Sequence, residues 1–373
     1  MYANGQTVIQ LMEQLAPKHY AVENDRIGLQ LGTLQKEITK VLVALDVTDE
    51  VVDEAIREGA ELIIAHHAII FRPLAKIDTS TPAGKLYEKL IKNDIAVYIA
   101  HTNLDVTEGG INDWMADLLG IPQEKRASLE DIHTDKLSKL VVFVPQGHHE
   151  KVLEAIWNAG GGHIGNYSCC SFNIEGTGTF LPGEGTNPFI GKSGKLEKVA
   201  EMRIEIIVPQ NVQRRVVTAM LKAHPYEEVA YDLYPMDLKG RSFGLGRVGK
   251  LAEPIRLGDL ADKVKEVFEV PAARLVGDPE RMVRKVAVLG GSGARYVRHS
   301  LFAGADVLVT GDIDYHTAHD ALVAGLAIID PGHNIEKIMK PRVADWLNEQ
   351  LAERKYATTA VASTISTEVF QFV

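Results

Sequence analysis

The chain has only two cysteines in 373 residues, and they are neighbours, Cys169 and Cys170. Adjacent thiols give no disulfide framework. On a strand they face opposite sides and read as filler. Long apolar runs are also missing. None reaches ten residues, against roughly 20 for a helix that crosses a membrane. Nor is there an excess of positive charge: 40 Lys and Arg face 50 Asp and Glu, a net charge of −10. General binding of nucleic acid through its phosphates needs a basic face, so a DNA-encircling ring is not expected. The opening residues, Met1-Tyr-Ala-Asn-Gly-Gln, lack the basic start and apolar stretch of a signal peptide, and the expected location is the cytoplasm. The rest is ordinary for a globular protein, with 46% hydrophobic and 24% charged residues. The length implies two or three domains.

The first 125 residues alternate helix and strand. Helices are expected at Thr7–Leu15, Thr48–Glu58, Gly84–Asn93 and Asn112–Leu119. Strands are expected at Thr39–Asp46, 61–67 and around Val97. This is βαβ grammar with a mostly parallel sheet, and it resumes near the C-terminus. Val51–His67 aligns without gaps to Tyr296–Asp312: a helix, a Gly-Ala-acid turn at Gly59 or Gly304, then a strand. The match fits either an internal duplication, with His67 and Asp312 at equivalent strand ends, or two ordinary αβ units that share a helix-terminating glycine. Between the halves the order becomes βαββαβ, the ferredoxin-like split motif, with a Gly-rich hairpin excursion at Gly176–Gly194. The fold class is therefore α/β: a duplicated αβ core with mostly parallel sheets, formed by residues 1–134 and 238–373. A ferredoxin-like α+β domain is inserted at 135–237.

Three short apolar runs deliver histidines and carboxylates at their C-terminal ends. They are Glu61–Phe71 with His66 and His67, Val97–Asp105 with His101 and Asp105, and Ala327–Glu336 with Asp330, His333 and Glu336. In open α/β sheets that edge is where ligands bind. Successive side chains on a strand point to opposite faces. His66 and His67 therefore address two different ions only if the strand stops and the chain turns; otherwise they simply pack at a strand end. The spacings His101/Asp105 and His333/Glu336 put each pair on one helical face. Asp105 and Glu336 suit bridging or charge balance. Asp312, His316 and Asp330 are expected to stand behind the ligands and orient imidazoles, although Asp312 fits equally well as a helix N-cap ahead of 313–322. Gly244-Leu-Gly246-Arg-Val-Gly249 reads as a turn between strands, whereas Gly290-Gly-Ser-Gly293 follows a strand and could hold an anion. His148, His149, His163 and His224 need no metal.

Several segments together carry a family resemblance: Glu23-Asn-Asp-Arg-Ile-Gly-Leu29, Ala65-His-His-Ala68, His101-Thr-Asn-Leu-Asp105, Gly244–Gly249, Thr310-Gly-Asp312 and Asp330-Pro-Gly-His-Asn-Ile-Glu336. Over essentially its whole length the chain resembles the Nif-three-like proteins, also called GTP cyclohydrolase I type 2 homologs, in their longer bacterial form. The insert resembles CutA and PII-like modules, most clearly at Ala223-His-Pro-Tyr-Glu-Glu-Val-Ala230. The resemblance implies a dinuclear metal centre of His66, His67, Asp105, His333 and Glu336. His67 and Asp105 would hold one ion, His66 and His333 the other, with Glu336 shared. His101 joins Asp312, His316 and Asp330 as a residue expected behind the ligands. Some members place four positions between the last His and Glu, whereas here the separation is three. The resemblance also implies a homohexamer of two stacked trimers and a small-molecule ligand. Imidazole and carboxylate without thiolate suit two ions of Zn²⁺, Fe²⁺, Mn²⁺ or Co²⁺. Two functions follow: a metal-dependent hydrolase of a nucleotide or other small phosphorylated or cyclic compound, or a non-catalytic metal carrier or sensor.

Overall fold

The computed structural model describes all residues, Met1–Val373. They form two units, one of Met1–His133 with Phe243–Val373 and one of Thr134–Ser242. The second boundary lies a few residues beyond the one expected from sequence, because the strand Tyr231–Leu245 runs through it without a break.

The first unit holds two five-stranded mixed sheets. One runs Gly28–Leu31, Ala96–Ile99, Leu62–Ala65, Lys40–Ala44, Thr359–Ala362, with all neighbours parallel except the antiparallel edge Gly28–Leu31. The other runs Arg274–Val276, Ala327–Asp330, Val307–Gly311, Met282–Ser292, Arg247–Arg256. Its three middle strands are parallel and both edges antiparallel. The first four strands of each sheet thus have the same order and directions.

Burial explains why short apolar runs became these strands. Leu62 and Ile64 enter a core shared with Val286, Val307 and Ile329 of the other sheet, while Ile63 and Ala65 pack with Val51, Val52 and Leu90 on the opposite side. Both faces are covered, which is the setting that favours unbroken β-branched and aliphatic runs. The helix Asp49–Glu58 starts where Thr48 Oγ1 accepts the Val51 N–H at 3.4 Å and stops at Gly59, φ +68°. Gly304 has the same φ of +68°, so the aligned glycines share a left-handed conformation that a side chain would strain. Gly246, φ +64°, makes the turn from Tyr231–Leu245 into Arg247–Arg256.

The second unit follows the order strand (Glu130–Pro145), helix (His149–Asn158), strands (Phe172–Phe180 and Glu197–Pro209), helix (Gln213–Ala223), strand (Tyr231–Leu245). In the sheet these strands lie in the sequence fourth, first, third, second. Leu140, Val142 and Val144 alternate onto one face and pack with Ile204, Ile206 and Val208 against Val152, Ile156, Val216 and Met220 of the two helices. No helix in either unit is long and apolar enough to cross a membrane.

Candidate metal centre

The strand Leu62–Ala65 ends where the chain bends over its neighbour: the N–H groups of His66 and His67 both donate to Leu45 O, at 3.2 and 3.0 Å. Freed from strand alternation, the two rings come side by side, with centroids 5.0 Å apart and planes inclined at 55°. Each of four imidazoles has its Nδ1 engaged. His66 meets Ala100 O at 2.9 Å, His67 meets Asp46 Oδ1 at 2.6 Å, His101 meets Asp25 Oδ1 at 2.9 Å, and His333 meets Asp312 Oδ2 at 2.7 Å. Opposite a carbonyl or an ionised carboxylate, Nδ1 must be the donor, so each ring is left with Nε2 as its free ligand atom.

Three of those atoms, from His66, His67 and His333, converge on Glu336. His67 Nε2 lies 3.1 Å from Glu336 Oε2 and His333 Nε2 lies 3.3 Å from the same oxygen. His66 Nε2 lies 3.8 Å from Glu336 Oε1 and 3.7 Å from Asp105 Oδ1. Two triads, His66/Asp105/Glu336 and His67/His333/Glu336, therefore share one carboxylate, and a third groups His66, His67 and His101. In each, the ligand atoms lie within 4.8 Å of one another. This pairing, His66 with Asp105 and His67 with His333, differs from the one that the resemblance implies. His101 also stands among the convergent rings rather than behind them, 4.9 Å from His66 between centroids.

The donor set suits a divalent cation on physical grounds. His66 Nε2 and Asp105 Oδ1 are buried and have no hydrogen-bond partner, a cost of about 1–3 kcal/mol for each such group. An ion between them would satisfy both. These clusters could hold metal ions. Without an ion, charge is balanced by protons. The hydrogen bond that His333 donates to Glu336, opposed by burial and aided by Asp312, raises the pKa of His333 to about 9. For His67, burial works against the imidazolium, but Asp46 and Glu336 outweigh it and raise the group to about 10. Burial, together with repulsion from Glu336, raises Asp105 to about 6 against the attraction of His66. Glu336 is held well below its usual range, because the surrounding imidazoles overcome the penalty of burial. Metal ions compete with such protons for the same atoms.

Local backbone geometry makes room for the shared carboxylate. His333–Ile338 is a 3₁₀ turn, whose three-residue repeat eclipses i and i+3. A separation of three therefore aligns His333 and Glu336 directly. A Cβ at Gly291 would meet Glu336 Oε1 at 2.7 Å, and φ there is +65°. One at Gly311 would meet the His333 backbone nitrogen at 2.7 Å. Gly290 and Gly291, near the end of the strand Met282–Ser292, thus accommodate Glu336. The helix that follows, Val297–Phe302, is a short one. Gly291→Ala is expected to weaken metal binding by roughly tenfold or more, the range seen when ligand support is disturbed; unchanged affinity in chelator competition would contradict this.

The remaining candidates separate. Asp312, φ +58°, orients His333 and does not cap the next helix; that role belongs to Asp314, whose Oδ1 accepts from His316 N at 2.9 Å and Thr317 N at 3.0 Å. His316 is exposed on that helix, its ring against Tyr315. Asp330 accepts from Ile313 N at 3.0 Å and Gly332 N at 2.9 Å and pairs with Arg274, so it shapes the loop, not an imidazole. Sequence reading assigned no role to Asp46 or Asp25. Asp46 follows the strand Lys40–Ala44, and its other oxygen accepts from Thr367. Asp25 lies in the Glu23–Leu29 segment and also accepts from Thr102 N at 3.0 Å. Burial opposes its ionisation, but His101 and Thr102 hold its carboxyl far below the usual carboxylate range. Asp46→Asn is expected to lower metal affinity by about 10–100-fold, because the ring it steers loses its anchor and basicity; isothermal titration of metal-free protein reads this directly.

Residues 3–368 match the family model described as Duf34/NIF3 (NGG1p interacting factor 3). A protein of Halalkalibacterium halodurans, named GTP cyclohydrolase 1 type 2 homolog, is 57% identical over 371 residues, covering 100% of this chain and 99% of that one. One of Bacillus subtilis with the same name is 50% identical over 370 residues, covering 99% of each. The crystal structure of a Bacillus cereus protein related to NIF3 superposes with a TM-score of 0.94 at 52% identity, covering 100% of both chains. A mixed α/β architecture, a cluster of imidazoles and carboxylates, and full-length similarity agree: the chain belongs to the Duf34/NIF3 family.

Proposed function

We propose that the protein is a hydrolase with a dinuclear divalent-metal centre, acting on a nucleotide or another small phosphorylated or cyclic compound. The observation that carries this reading is the pair of triads sharing Glu336. His66, Asp105 and Glu336 would hold one ion; His67, His333 and Glu336 would hold the other. Bound there, Zn²⁺, Fe²⁺, Mn²⁺ or Co²⁺ supplies Lewis acidity and a water with pKa lowered toward about 7. The chain supplies orientation through Ala100 O, Asp46 and Asp312. His101 is the residue to move a proton. Asp25 holds a proton at its Nδ1, and its Nε2 is left toward the cluster. Burial disfavours its charged form, but Asp25 and Asp105 outweigh that and raise it.

The test is turnover of a nucleotide panel by metal-loaded wild type, His67→Ala and His101→Asn. His67→Ala should lose activity with its metal. His101→Asn should keep its ions and lose about 10²–10⁴-fold in turnover, as for a general acid or base. No turnover in any of the three, or equal turnover in all, overturns the hydrolase reading for those substrates. A metal carrier or sensor is the second reading, favoured by the separate cavity in Thr134–Ser242; reversible metal exchange without turnover would establish it.

The matching order of four strands in the two sheets supports an internal duplication. The βαββαβ unit with its fourth–first–third–second strand order supports a ferredoxin-like insertion. A homohexamer of two trimers, working in the cytoplasm, completes the reading. Light scattering should give about six chains per particle, and a monomer would exclude it.

A further inference from the structure

A cavity of about 610 Å³ lies wholly within Thr134–Ser242, in the size range of small-molecule sites. Aromatic rings form much of its wall. Phe180 and Phe189 stand 5.8 and 6.4 Å from Tyr226 between centroids, with planes inclined at 63° and 54°, and Phe143 adds a fourth ring. The faces of such rings attract cations. One wall ring already does so: the guanidinium carbon of Arg203 lies 5.7 Å from the Phe143 centroid.

The charge of the lining has the matching sign. Glu175, Glu201, Glu227 and Glu228 face a single cationic side chain, Arg203, which Glu205 neutralises at 3.0 Å. Glu201 is the central group. It is only 7% exposed, and its Oε1 accepts from the Tyr226 hydroxyl at 2.9 Å. Burial and the neighbouring Glu201 carboxylate raise the Tyr226 phenol, so it remains a donor. Oε2 lies over the facing strand, where a Cβ at Gly178 would meet it at 2.1 Å. A glycine opposite a buried carboxylate, with a tyrosine fixing its other oxygen, is a built feature of the wall.

We propose that this cavity binds a small organic ammonium ion with an apolar body, its charge against Glu201 and the aromatic rings and its body on Phe180 and Phe189. Calorimetric titration of the full chain with three probes of similar shape tests it: benzyltrimethylammonium, phenylmethanesulfonate and benzyl alcohol. The ammonium should bind at least about tenfold more tightly than either of the others. Glu201→Gln and Phe189→Ala should each weaken it by about five- to thirtyfold. Circular dichroism checks that the variants fold. Phe189 is 53% exposed, so its truncation remains a usable probe if Glu201→Gln does not fold. Equal binding of all three probes, preference for the sulfonate, no binding of the ammonium, or ammonium affinity untouched by either substitution would each overturn the proposal.

Discussion

Glu336→Gln is expected to strip the proposed dinuclear centre of both ions. The carboxylate is 3% exposed and belongs to both triads, with Oε1 toward His66 and Oε2 toward His67 and His333. Glutamine keeps the shape, so Gly290 and Gly291 still accommodate it, but the charge is lost. A neutral amide is a poor ligand for these ions beside imidazole, and only one of its two ends can coordinate. Asp105 alone would then balance two divalent charges. Metal analysis of the variant after saturation and desalting should fall from about two ions per chain to near zero, with the circular dichroism spectrum unchanged. Retention of both ions would remove Glu336 from the site.

Asp113→Ala should produce the largest loss of stability. Asp113, on the helix Ile111–Leu119, takes two hydrogen bonds from Arg247, Nε to Oδ1 and Nη2 to Oδ2, each 2.8 Å. Arg247 is 5% exposed and donates also to Gly244 O, Gly246 O and Thr107 O. Truncation leaves a guanidinium buried without its counter-charge, which costs about 3–5 kcal/mol. The denaturation midpoint in urea should fall accordingly, and an unchanged midpoint would show the pair to be dispensable. The pH dependence has a definite sign. Burial opposes ionisation of Asp113, but Arg247, the Gly109 N–H and Arg126 outweigh it and lower its pKa. A group depressed in the folded state stabilises above its unfolded pKa of about 3.9 and loses that contribution as pH falls through the folded value. The wild type should therefore lose more stability than the variant on acidification below about pH 4.

The histidines were legible because of where the apolar runs stop. In a parallel sheet covered on both faces the strands are mostly apolar, so His66-His67, His101 and the Asp330–Glu336 segment mark the strand ends by themselves. Groups that hold those rings were not legible. Asp46 is 21 positions from His67, and Asp25 is 76 positions from His101. A carboxylate in a loop gives no local signal of the imidazole it will meet. The Gly290–Gly293 stretch suggested an anion site because glycine signals close approach without saying of what; the neighbours are side chains of the protein itself, Glu336 at Gly290 and Gly291 and Thr310 at Gly293. In the second unit, Leu140–Val144 was legible as a strand, whereas the strand runs from Glu130 to Pro145. Only its later part alternates into the apolar core. The rest is mixed in polarity and stays extended through its partners, which a hydrophobic pattern does not register.

The most direct measurement is the metal content of the wild-type chain purified without chelator, then depleted and reloaded with Zn²⁺, Mn²⁺, Fe²⁺ or Co²⁺ in turn. Two triads that share one carboxylate predict saturation at about two ions per chain, with proton release on binding that grows as the pH falls below the raised values of His333 and His67. Saturation near zero with every one of these ions would contradict the centre altogether.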